Sequence, residues 1–98
     1  TLGLSSAASD VYKRQAYVMG QMQDSAAVPY LIDRLEDFEE DVMVRHEAAE
    51  ALGAIGDRTA LGVLERFKDD KDIVVAESCE VALDLLEWVS SRKLNYSE

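Results

Sequence analysis

The sequence holds one cysteine, one proline and one histidine, and no long uninterrupted apolar run. Each scarcity excludes something. A lone thiol, Cys79, cannot close a disulfide within the chain, which fits a reducing, intracellular compartment. A bilayer-spanning helix needs roughly 20 consecutive apolar residues, and no stretch comes near that. No secretory signal pattern opens the chain, so a cytoplasmic location is expected. One proline and five glycines among 98 residues leave few helix breakers. The abundance of Ala, Leu, Glu and Asp favours helix over sheet. Basic residues are few: 10 Lys and Arg stand against 20 Asp and Glu, a net charge of −10. Nucleic-acid binding needs a basic surface, so no nucleic-acid partner is expected. A basic protein partner drawn in by electrostatic steering is compatible with this charge, as is a plainly solvated acidic surface.

What is present is enough for one small folded domain: 48% of residues are hydrophobic and 31% charged. The start of the chain stands apart. The run from Ser5 to Gln15 resembles the in-frame translation of a transposon-end adapter used to prepare sequencing libraries. Residues 1–15 are therefore expected to be an adapter-derived or disordered tail, and they are excluded from fold reasoning. Without Asp10, Lys13 and Arg14 the chain keeps 8 basic and 19 acidic residues, so it remains acidic.

From residue 16 onward the sequence repeats itself. Ala16, Gly20 and Asp24 recur as Ala49, Gly53 and Asp57, an offset of 33. At the same offset Val28 and Leu31 correspond to Leu61 and Leu64, and Asp37 corresponds to Asp70. A third copy lies 30 residues on, where Val44–Leu52 parallels Val74–Ala82 and Glu47 and Glu50 recur as Glu77 and Glu80. Helical periodicity predicts a stub over 16–22 and helices over 25–35, 42–55, 59–67 and 73–89. Ser25 is the expected cap of the first, with Pro29 near its first turn. Gly56-Asp57 ends the second, and Asp69 to Asp72 form a loop. Val44, Ala48, Ala51, Leu52 and Ile55 are expected to pack on Leu31, Leu35, Leu61 and Leu64. Tyr17, Phe67 and Trp88 read as core or end-cap aromatics. Paired helices at this period form an all-α solenoid, so residues 16–98 are expected to be a HEAT-like helical-hairpin repeat domain, truncated at its N-terminus.

One dipeptide has the means for chemistry. His46 and Glu47 fall at the start of the second helix of a hairpin, and imidazole and carboxylate are natural ligands of first-row metals, iron included. Adjacent helical residues point about 100° apart, so one pair does not easily clamp one ion alone. Glu50 lies one turn beyond His46 on the same face and is placed to orient the imidazole. A lone His-Glu dipeptide also reads as an ordinary surface pair. The third copy has Ala76 in the place of His46, so it holds no equivalent site.

The run from Met43 to Gly56 resembles the His-Glu repeat of the deoxyhypusine hydroxylases. The stretch from Ala16 to Gln23 resembles the segment directly after another His-Glu pair in that family, and the stretch from Glu77 to Asp84 resembles its closing helix. The resemblance extends from Ala16 to about Tyr96 and best fits the C-terminal half of such a protein. It implies a HEAT-like superhelix of two similar halves. Four His-Glu pairs hold a di-iron centre between them, for oxygen-dependent hydroxylation of deoxyhypusine on a translation-factor precursor. His46 and Glu47 match one metal-binding pair, and Glu50 matches a motif position nearby, as a second-shell or substrate contact. The pair expected 33 residues earlier falls on Lys13-Arg14, where two cations cannot ligate iron. The implied partners are the basic, lysine-bearing loop of the precursor and the missing N-terminal half of the same chain. The fragment alone is expected to be inactive.

Two other readings stand beside this one. The repeats could form a non-catalytic protein-binding scaffold, or resemble chromophore-lyase-type repeat proteins at the level of fold. An N-terminal repeat face that normally packs on a neighbour would favour self-association. Cys79, mid-helix and with no second histidine to activate it, reads as a small buried apolar residue rather than a nucleophile.

Overall fold

Aspartates open three of the helical segments. Asp41 accepts the Met43 N–H at 2.8 Å through its side chain, and its carbonyl accepts the Arg45 N–H at 3.0 Å. Asp57 does the same for Thr59 at 3.0 Å, and Asp72 for Val74 at 3.1 Å. Each satisfies donors that a helix start leaves without partners. The computed structural model describes residues 25–96. Among these, four α-helices run in order: α1 Val28–Glu36, α2 Val42–Ile55, α3 Leu61–Phe67 and α4 Ile73–Tyr96. Single 3-10 turns, Ser25–Ala27 and Arg58–Ala60, lead into α1 and α3. The proposed tail over 1–15, the helical stub over 16–22 and Tyr17 lie outside the described residues.

The expected bounds hold for α2 and differ elsewhere. Ser25 does not cap α1: the cap position is Ala27, which makes no side-chain cap bond, and proline sits in the first turn. The 3-10 turn supplies the entry that a cap would otherwise provide. The 3-10 turn Arg58–Ala60 likewise takes up the start expected for α3. α4 continues to Tyr96, beyond the expected 89, since no glycine or proline interrupts it. The stop after α2 is as read. Gly56 adopts the left-handed conformation, φ 72°, and its N–H reaches the Leu52 carbonyl at 3.2 Å. A side chain there would clash with its own backbone.

Two hairpins result, α1–α2 and α3–α4. α2 packs on α1 and on α4, and α3 packs on α4. An Arg66–Glu36 ion pair at 2.5 Å ties α3 to α1. One core joins both hairpins: Leu35, Leu52, Leu64, Val75, Cys79 and Leu86 are fully or almost fully enclosed. Burial of such a leucine contributes about 1.5–3 kcal/mol. Phe67 belongs to this core, while Trp88 packs with Ala54, Leu85 and Val89 in a smaller cluster.

The expected apolar stripe of α2 needs a correction. Ala48, Leu52 and Ile55 are buried as expected, but Val44 and Ala51 are only half-buried. Ala49, Arg45 and Gly53 are buried instead. The cause is that α2 is contacted from two sides, which widens and turns its buried face. The outward side of α4 carries Glu77, Glu80, Asp84 and Glu87, all exposed at helical spacing. Among the described residues no helix is long and apolar enough to cross a membrane.

Gly62, in the first turn of α3, is exposed, and a Cβ built there meets nothing within 4 Å. Gly62→Ala is expected to stabilise the fold by about 0.5–1 kcal/mol, because alanine loses less backbone freedom on folding. A thermal melt checks this; an unchanged or lower midpoint would contradict it.

Candidate metal-binding site

His46 sits one turn into α2, positioned by the Asp41 cap and by the packing of α2 on α4. Its side chain is 25% exposed, so one edge of the ring is enclosed and the other reaches solvent. The enclosed edge meets α4, where Nδ1 contacts the Ser78 hydroxyl. Ser78 Oγ in turn donates to the Val74 carbonyl at 2.6 Å, back along its own helix. The hydroxyl has a single hydrogen. Donation to Val74 leaves the Ser78 oxygen lone pairs that suit an Nδ1–H donor. A neutral ring protonated at Nδ1 carries its lone pair on Nε2.

Nε2 faces a carboxylate. Glu50 Oε2 lies 3.3 Å from Nε2, the i,i+4 neighbour expected from the helical turn. An imidazole nitrogen and a carboxylate oxygen at this distance can share a proton or a metal ion. Metal–ligand bonds of about 2.0–2.2 Å put adjacent donor atoms of one ion roughly 3 Å apart. The Nε2–Oε2 separation suits that. Glu47 is exposed, and its place on the helix turns it away from the Nε2–Oε2 pair, as the 100° step predicts. Among the described residues no group of three or more His, Cys, Asp or Glu side chains could hold a metal ion by itself. The site therefore offers an imidazole and nearby carboxylates, and not a closed coordination sphere.

The profile of HEAT repeats matches residues 2–84. The chain belongs to the HEAT-repeat family. This HEAT-repeat chain is 50% identical over 82 residues to a deoxyhypusine hydroxylase of Danio rerio, covering 84% of the chain and 27% of that relative. It is 53% identical over 74 residues to that of Homo sapiens, covering 76% and 24%. The solved structure of human deoxyhypusine hydroxylase in complex with glycerol superposes with a TM-score of 0.70 at 48% identity, covering 83% of this chain and 28% of that one. The chain thus spans about a quarter of the length of the relatives it matches.

Two contributors to the region were not singled out from the sequence of this HEAT-repeat chain. Ser78 was passed over because its partner lies 32 residues away, beyond any local spacing rule. Arg45, next to His46, is buried and bonds Asp70 Oδ2 at 2.8 Å and the Leu35 carbonyl at 2.9 Å. It anchors the start of α2 and so the ring beside it. Cys79 behaves as expected. Burial, aided by the negative charge of Asp70, pushes its thiol up to about 11, so it stays protonated and unreactive at neutral pH.

Proposed function

We propose that this chain is part of a deoxyhypusine hydroxylase and contributes His46 and Glu47 as one ligand pair of a di-iron centre. The observation that carries the reading is His46 Nε2 set 3.3 Å from the Glu50 carboxylate, within a stretch half identical to enzymes of that name. The donor set fits: neutral imidazole and carboxylate suit iron(II). His46 would bind through Nε2, with Ser78 holding the opposite edge of the ring. Glu47, turned away from Nε2 by the helical step, would supply the second ligand of the pair to a neighbouring ion. Glu50 would lie beside the bound ion, steadying the imidazole and offering negative charge. When bound, the iron would supply the oxygen activation needed to hydroxylate deoxyhypusine on the translation-factor precursor. Exposed Glu47, Glu50, Glu77 and Glu80 give the second helices of both hairpins an acidic surface suited to a basic, lysine-bearing loop. A cytoplasmic setting, where such a precursor is made, completes the reading.

One pair of ligands does not make a two-iron site. The remaining ligands must come from outside the described residues, and the register equivalent of the pair, Lys13-Arg14, offers none. The chain alone is expected to bind iron weakly and to give no di-iron centre. Anaerobic reconstitution with iron(II), followed by metal analysis and absorption spectroscopy, tests this. A stoichiometric di-iron spectrum from these 98 residues would overturn the incomplete-site reading. His46→Ala should remove the weak binding altogether. Binding that survives this substitution would place the metal elsewhere.

A further inference from the structure

We propose that Ser78 is a positioning residue for His46, fixing which imidazole nitrogen carries the proton and which is left to bind a cation. The inference rests on the metal-binding reading above. It begins with a contest between two acceptors. Glu50 Oε2, 3.3 Å from Nε2, favours a proton on Nε2 and so a ring with no lone pair to offer there. Ser78 Oγ, against Nδ1, favours the proton on Nδ1. What favours the serine is that its own hydrogen is given to the Val74 carbonyl, which leaves its oxygen lone pairs to present to Nδ1. It is also 5% exposed, so water does not compete for the contact.

The simpler explanation of Ser78 is that a small residue fills the seam between α2 and α4, its hydroxyl satisfied along its own helix. The repeat register argues against packing as the whole reason. Ser78 corresponds to Ala48 at the offset of 30, and Ala48 is equally buried. Packing at this position is met by alanine. The hydroxyl appears in the copy that faces His46, where it meets the ring. Its role is to act through the imidazole, since it reaches neither a carboxylate nor solvent.

The test uses the single histidine. In protein carrying 15N only in histidine, every imidazole signal belongs to His46. At a pH where the ring is neutral, the wild-type chain is expected to show the Nδ1–H pattern. Ser78→Ala should move it toward Nε2–H, with Glu50 now the acceptor. Ser78→Thr, which keeps the hydroxyl, should retain Nδ1–H. Zinc ion titrated into the same samples should perturb Nε2 of the wild type, with an apparent affinity about 10-fold weaker in Ser78→Ala and restored in Ser78→Thr. An Nδ1–H pattern that survives in Ser78→Ala overturns the proposal. So does equal zinc affinity in wild type and Ser78→Ala, and in that case the metal-binding reading stands. Zinc that leaves His46 unperturbed in the wild type sinks the metal-binding reading instead, and the tautomer change still decides what Ser78 does to the ring.

Discussion

Asp70→Ala is expected to destabilise the fold by about 3–5 kcal/mol, a large share of the roughly 5–15 kcal/mol that holds a small domain together. The reason lies in what it leaves behind. The Arg45 side chain is 4% exposed and that of Asp70 1%, and they meet at 2.8 Å. The guanidinium lies against the rings of Phe38 and Phe67, 4.9 and 5.6 Å from their centroids. Its Nε is spent on the Leu35 carbonyl. Without Asp70 a positive charge stays enclosed with no counter-charge. The same substitution removes the acceptor of the Asp72 N–H, which shapes the turn into α4. Urea unfolding followed by helix signal measures the cost. A loss under about 1 kcal/mol would mean that water reaches Arg45 and the pair is not buried in solution. The double substitution Arg45→Met with Asp70→Leu should recover much of the loss, because it removes both charges together.

The same pair gives the fold an acid sensitivity of known sign. Burial pushes the Asp70 carboxyl up. The hydrogen bonds from Arg45 and the Asp72 N–H, with the Arg45 charge, outweigh burial and hold it below the ordinary carboxylate value. A group depressed in the folded state contributes its full stability above the unfolded value of about 3.9 and loses it as pH falls through the folded one. This contribution is therefore constant near neutrality and fades below about pH 4.

Much of this was legible in the chain. The 33-residue register gave the hairpins, and Gly56-Asp57 gave the end of α2 where the structure has it. The i,i+4 rule put Glu50 on the His46 face, and the 100° step put Glu47 off it. What escaped was whatever depends on two neighbours at once. A single apolar face on α2 makes Val44 and Ala51 read as core, but α2 has two packed sides and both residues stay half-buried. Nothing local marks Asp70, 25 residues on, as the partner of Arg45. Ser78 was invisible for the same reason. A repeat protein writes its helices locally and its seams across the repeat.

Gly53→Ala reads that seam most directly, with an expected cost of about 3 kcal/mol, at the upper end of what overpacking brings. A Cβ on Gly53 would stand 2.8 Å from both the Cα and the carbonyl oxygen of Ala82, which are backbone atoms that cannot turn aside. α2 and α4 would have to part. Three of the contacts along the seam come in order: His46 on Ser78, Gly53 on Ala82, and Ser90 Oγ on the Gly56 carbonyl at 3.4 Å. Opening the middle one strains the other two. The first of these is the contact that sets the proton on His46, so a packing change two turns away should reach the site. Urea unfolding is expected to show the lost stability. The histidine 15N signals of the folded fraction should drift from Nδ1–H toward Nε2–H, as with Ser78→Ala but less completely. Full stability in Gly53→Ala would show that the helices part without cost. Lost stability with an unchanged His46 pattern would show that the two ends of the seam move independently.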